Sequence, residues 1–157
     1  MHEHARLITD FYSAFQRKDG KAMGACYHDE ALFSDPVFPS LKASQVRAMW
    51  RMFCERPGTE LSIEFSDVHA DDDQGTAHWD ASYRFRTGRR VLNRIDAAFR
   101  FKDGKIVRHT DTFDFWKWTR MAMGPAGTLF GWSSLFQNKI RGVAALGLAE
   151  FMATGKL

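Results

Sequence analysis

The sequence predicts an α+β fold, a curved antiparallel sheet with N-terminal helices and a helical C-terminal extension. Helical periodicity governs residues 3–18 and 46–53, strict alternation takes over from residue 61, and two glycine turns link the strands that follow. Strands joined by tight turns pair antiparallel, and helices segregated from them in the chain define the class.

Leu7, Ile8, Phe11, Tyr12 and Phe15 share one face of a helix over 3–18. Asp19-Gly20 stops it, and Asp19 is placed to cap a short second helix running to Tyr27. Residues 31–38 read as a short strand closed by Pro36, which has no N–H for a ladder and so sits at a sheet edge or at the strand's own end. Val46, Met49, Trp50 and Phe53 follow helical spacing in a third helix, with Ser44 as cap and Arg56-Pro57-Gly58 as stop. Leu61, Ile63 and Phe65 then alternate with Ser62, Glu64 and Ser66, a half-buried strand. Strands over 75–87 and 89–102 meet at Thr87-Gly88, Asp103-Gly104 makes a second hairpin, and residues 105–116 form the last strand. Helical spacing returns with Trp132, Phe136, Ile140 and Val143, although Gly142 and Gly147 each weaken a helix by about 1 kcal/mol. Residues 117–157 are therefore expected as a helical extension packed on a domain of residues 1–116.

Composition narrows the function. The chain has 157 residues, 45% hydrophobic and 14% aromatic, enough for one domain with a substantial core. A net charge of +3 is too small to indicate nucleic acid. The basic residues Lys117, Arg120, Lys139, Arg141 and Lys156 face only Glu150 in the tail and read as a solvated helix face. Cys26 and Cys54 lie among apolar neighbours without a CxxC or Cys/His cluster, so reduced, buried thiols and a cytoplasmic location are expected. No signal-peptide pattern opens the chain, and no apolar run approaches the roughly 18 residues of a membrane span.

Side chains alternate along a strand, so the turn decides which residues meet. A two-residue Thr87-Gly88 turn pairs Ser82 with Asn93, Asp80 with Ile95 and His78 with Ala97, on the face of Phe99 and Phe101. The opposite face then carries Trp79, Tyr83 and Phe85, and both faces are partly apolar. With helices on one and a second subunit on the other, this register makes a homodimer through the outer sheet face; an odd-length turn would instead flip it. In the two-residue register His78, Asp80 and Ser82 point inward, joined from the last strand by Asp111, which shares a face with Val107, His109, Phe113 and Phe115.

The runs Asp10-Phe11-Tyr12-Ser13-Ala14-Phe15, Phe33-Ser34-Asp35-Pro36-Val37 and Phe99-Arg100-Phe101-Lys102-Asp103-Gly104 resemble the nuclear-transport-factor-2-like superfamily, in its SnoaL-like and ketosteroid-isomerase-like branch. The resemblance spans residues 3–116 and implies a cone-like sheet around a pocket for a small, largely apolar molecule. It is specific for fold and not for one chemistry. In ketosteroid isomerase the aspartate of the Asp-Pro-Val run is the general base, which implies Asp35 here. That enzyme's oxyanion-hole positions fall on Phe11 and Ala97, so its oxyanion hole is not carried over. Limonene-epoxide hydrolase is similar in part: its two aspartates fall on Asp80 and Asp111, its arginine on His78 and its water-holding asparagine on Asp35.

These positions lead to the expectation of a cofactor-independent acid–base enzyme, a hydrolase, isomerase or lyase, acting on a small apolar compound. Asp35, His78, Asp80 and Asp111 are the catalytic candidates, with Asp111 as base, Asp80 as acid and His78 orienting both. Phe11, Phe33, Trp50, Ser82, Asn93, Phe99 and Phe113 would line the substrate. A metal is not expected, since no HxH or HExxH spacing joins the candidates. The alternatives are a non-catalytic carrier and a dimeric scaffold. The tail aromatics Trp116, Trp118, Phe130, Trp132 and Phe136 are expected to close the pocket or pack on the domain; the other possibility is a basic helix resting on an anionic membrane.

Overall fold

In the computed structural model, which describes residues 1–155, the chain begins with α1 (Glu3–Gln16) and α2 (Gly20–Ala25). β1 (Tyr27–Ser34), β2 (Leu41–Lys42) and α3 (Ala43–Glu55) follow. The meander is β3 (Ser62–Ala70), β4 (Gln74–Arg84), β5 (Arg90–Lys102) and β6 (Lys105–Thr112). It leads into α4 (Phe115–Met123), α5 (Pro125–Phe130) and α6 (Ser134–Thr154). Six strands form one sheet in the order β2-β1-β6-β5-β4-β3.

Local chemistry explains most boundaries. Asp19 caps α2 by accepting from the Ala22 N–H at 3.0 Å. Ser44 does not cap α3, because the helix starts one residue earlier and Gln45 Oε1 takes the Lys42 N–H at 2.9 Å. Asp103 (φ 53°) and Gly104 (φ 74°) form the tight left-handed turn between β5 and β6. β1 begins at Tyr27 and lies between β2 and β6, parallel to β6. Pro36 therefore marks the end of an interior strand and not a sheet edge. The last strand stops at Thr112, where Asp114 accepts from the Lys117 N–H at 3.0 Å and turns the chain into α4.

The β4–β5 turn corrects the expected register. Phe85 N–H donates to the Arg89 carbonyl at 2.9 Å, which leaves a three-residue loop with Gly88 at φ 85°. That geometry suits a turn ending in a left-handed residue. The extra residue pairs Tyr83 with Val91, Ala81 with Asn93, Trp79 with Ile95 and His78 with Asp96. Every β4 side chain is turned over relative to the two-residue expectation. Ala77, Trp79 and Ala81 now share the buried face with Asn93, Ile95, Ala97 and Phe99. His78, Asp80 and Ser82 share the other face with Leu92, Arg94 and Asp96.

The sheet curves around α1 and α3, and aromatic rings fill the space between. Trp50 of α3 has ring centroids of Phe11, Phe33 and Trp79 at 5.6, 5.7 and 6.1 Å. Phe15 and Tyr12 of α1 reach Trp79 at 5.5 and 5.9 Å. The Trp50 pairs are edge-to-face and those of Trp79 with α1 are tilted, contacts that add to the large area each ring buries. A second cluster, Val91, Phe115, Trp118 and Ala122, joins α4 to the hairpin end of the sheet. Leu148 and Phe151 of α6 are buried in the main core, with Arg51 of α3 over the Phe151 ring.

Candidate functional site

Two acidic side chains, Asp35 and Asp111, lie within electrostatic reach of each other. β1 and β6 pair Phe33 with His109 and Ser34 with Thr110, where β1 ends; Asp35 comes next, close enough for the charge of Asp111 to act on its carboxyl. Phe33 and His109 are sealed from solvent with ring centroids 5.0 Å apart, which fixes the inward direction of this row and the next.

Asp111 is 4% exposed and held by two donors. Its Oδ1 lies 2.8 Å from His109 Nε2 and accepts from the Trp79 indole at 3.4 Å. His109 Nδ1 lies 2.7 Å from the Tyr27 hydroxyl, whose oxygen accepts from the Trp50 indole at 2.8 Å. Indole N–H groups only donate, so with Asp111 as carboxylate the order of protons follows. Trp50 donates to Tyr27, Tyr27 to His109 Nδ1, and His109 Nε2–H to Asp111. Four buried polar groups on α3, β1 and β6 thus form one chain that ends at a carboxylate. Oδ2 of Asp111 takes no hydrogen bond from the described residues.

Asp35 sits at the mouth of this inner face. Its carboxylate accepts the Val37 and Phe38 N–H groups at 2.7 and 2.6 Å, the turn chemistry that the following Pro36 favours. Burial nevertheless pushes its carboxyl up to about 7, and the charge of Asp111 adds to the effect over the opposing backbone donors. Tyr83, whose phenol is raised to about 12 chiefly by burial, accepts from the Trp118 indole at 2.6 Å above the same end. Asn93 is 7% exposed with no side-chain hydrogen bond among the described residues. Deeper in, the Tyr12 hydroxyl is buried without a partner among the described residues, and burial with the nearby Asp111 charge raises its pKa.

The expected site residues divide by face. Asp111 lies on the buried face with Phe11, Phe33, Trp50, Phe99 and Asn93, and Asp35 lies within range of its charge. Phe113 follows β6 and packs toward Phe115 with ring centroids 6.3 Å apart. His78, Asp80 and Ser82 are corrected to the outer face by the three-residue turn. There His78 Nε2 lies 2.8 Å from Asp80 and Nδ1 lies 3.0 Å from Asp96. The inward residues of β4 include no carboxylate, so of the epoxide-hydrolase-like aspartates only Asp111 faces the interior. The ground for expecting a dimer across the outer face, a second aromatic surface, is also removed. His109, Tyr27, Trp79 and Tyr12 were not among the candidates. His109 alone carried a signal, standing two residues before Asp111 on one face; the others become polar partners only through tertiary packing. No group of three or more metal-ligating side chains gathers among the described residues.

A sheet curved around helices, with polar groups on its concave side, defines a nuclear-transport-factor-2-like domain. The chain belongs to the SnoaL-like domain family, whose sequence pattern matches residues 8–109. Solved structures agree on the fold. An LEH-like epoxide hydrolase of M. tuberculosis shares 20% identity at a TM-score of 0.62, over 85% of this chain and 95% of that one. TsrD from Streptomyces laurentii shares 22% identity at 0.65, over 78% and 96%. A putative polyketide cyclase from Xanthomonas campestris shares 21% at 0.62, over 76% and 96%. No match to a curated protein was found. No helix of the described residues is long and apolar enough to cross a membrane.

Proposed function

We propose that the chain is a cofactor-independent acid–base enzyme for a small, largely apolar molecule, with Asp111 as general base and Asp35 as general acid. The juxtaposition of these two carboxyls carries the reading. Asp35 keeps its proton up to about pH 7 beside a carboxylate that His109 and Trp79 hold in place. One acid and one base near neutral pH is the pairing that proton transfer needs. As Asp111 accepts a proton, His109 remains its neighbour, and the Tyr27–Trp50 pair fixes the imidazole's orientation.

A non-catalytic binder of the same class of molecule is the second reading, favoured by the placement of His78 and Asp80 on the outer face, which leaves fewer acid–base groups inside. Mass spectrometry of what co-purifies, followed by assay of related epoxides and enones, separates the two. The expected result is turnover that falls about 100-fold or more in Asp111→Asn while ligand affinity stays within a few-fold. Binding without turnover in the unaltered protein supports the carrier, and unimpaired turnover in Asp111→Asn removes the assignment of the base.

A further inference from the structure

The corner between α5 and α6 displays large apolar side chains outward. Leu129, Phe130, Trp132 and Leu135 are 63, 55, 67 and 83% exposed. The apolar surface continues along α6 through Val143 and Leu146, opposite the stripe of Ile140, Ala144, Leu148 and Phe151 that faces the domain. A helix apolar on both sides is ordinarily covered on both.

This corner is fixed in place. A Cβ on Gly127 would lie 1.9 Å from the Thr119 carbonyl oxygen, and one on Gly131 would lie 1.9 Å from Thr119 Oγ1. Only glycine lets α5 sit this close to α4. Gln137 Nε2 then donates to the Gly131 carbonyl at 2.7 Å, and the Trp132 indole to the Leu129 carbonyl at 2.9 Å. The apolar groups are held out on a rigid mount.

Basic groups border them. Arg89, Arg120, Thr128 and Leu129 share the walls of an open cleft of about 540 Å³. Arg89 Nε is anchored on the Met121 carbonyl at 2.8 Å, which leaves the rest of its guanidinium free to face the cleft. Lys139 lies on the exposed side of α6 between Leu135 and Val143. Among the described residues no carboxylate forms an ion pair with Arg86, Arg89, Arg120 or Lys139.

We propose that this face docks on an anionic phospholipid membrane. Leu129, Phe130, Trp132 and Leu135 enter the boundary between headgroups and acyl chains, and Arg89 and Arg120 receive lipid phosphates in the cleft. Tryptophan and leucine beside unpaired basic groups are the composition of an interfacial anchor. The apolar groups are exposed on a fixed corner, which suits a deformable lipid layer. A second copy docking through the same face would bring its unpaired arginines toward these, a like-charge contact.

Flotation of the full chain with phosphatidylcholine vesicles, with and without phosphatidylglycerol, tests this. Binding is expected only to the anionic vesicles, weakened about tenfold or more by high salt. Leu135→Asp and the pair Arg89→Glu, Arg120→Glu should each weaken it by a similar factor. Leu135 is exposed enough to change without disturbing the fold, which unchanged thermal unfolding would verify. No flotation with either vesicle overturns the proposal. So does a dimer in sedimentation that Leu135→Asp dissolves while vesicle binding is absent, since the occupant would then be a second copy.

Discussion

His109 stands 2.8 Å from Asp111 through Nε2 although only one residue separates them on β6, and both are buried. On a strand, alternate residues share a face, so the imidazole and the carboxylate lie along the concave surface as neighbours. Asp111 would be expensive to bury without this donor. His109→Phe should therefore destabilise the fold by about 2–3 kcal/mol, since it leaves a buried carboxylate short of a partner and Tyr27 without an acceptor. Tyr27→Phe should cost about 1–2 kcal/mol by removing the acceptor of the Trp50 indole. Because the two changes break one chain, the double variant should cost less than their sum. Urea unfolding of the four proteins measures all three quantities.

Tyr12 presents the opposite case. Its hydroxyl is buried and makes no hydrogen bond to the described residues, so it bears a desolvation penalty with no return. Tyr12→Phe keeps the ring that lies against Phe65, Trp79 and Phe99 and removes only the oxygen. The variant should be as stable as the parent or more stable by about 1 kcal/mol. A loss of more than that in thermal or urea unfolding would mean that the hydroxyl is satisfied in solution by a bound water.

The helices and the meander were legible because their signals are local: apolar spacing on α1 and α3, alternation on β3, and Asp103-Gly104 between β5 and β6. The inward direction of Asp111 was legible from its parity with His109, and the turn at Asp35 from the Pro36 that follows it. The error over His78, Asp80 and Ser82 has a single source. Thr87-Gly88 reads equally well as a two-residue turn or as the end of a three-residue loop, and one residue exchanges the faces of a whole strand. The alternation was itself informative, since only the odd loop puts Trp79 with Ile95 and Phe99 on one apolar side. The Trp50–Tyr27–His109 chain joins residues far apart in sequence, and no local pattern announces such a contact.

His78 tests that register. On the outer face it bridges Asp80 and Asp96, and the Asp96 hydrogen bond, with that of Asp80, holds its imidazole above the usual histidine range. Asp96 is largely exposed, so the bridge should be worth under about 1 kcal/mol. A raised histidine stabilises fully below its unfolded value and loses that contribution as pH rises through the folded one. The stability difference between the parent and His78→Ala should thus be largest at mildly acidic pH, below the ordinary histidine value, and fade as pH rises through the raised one. Ligand binding should not change. Loss of ligand binding in His78→Ala with the fold intact would contradict its placement outside the cone.

Asp35 should give a dependence of the same sign over a lower pH range. Its carboxyl is raised to about 7 from the ordinary carboxylate value near 4, mainly by burial. Between those values the unfolded chain has released the proton and the folded chain has kept it, so stability falls as pH rises. The fall begins near pH 4 and levels off above about pH 7, where both states are ionised. Asp35→Asn removes the ionisation and retains an amide oxygen that can accept the Val37 and Phe38 N–H groups. Parent and variant should therefore be close in stability at pH 4, with the variant ahead by about 2–4 kcal/mol at pH 8. Denaturant unfolding across that range decides it: a gap that stays constant with pH would show that Asp35 ionises as it does in the unfolded chain and does not hold the proton assigned to it.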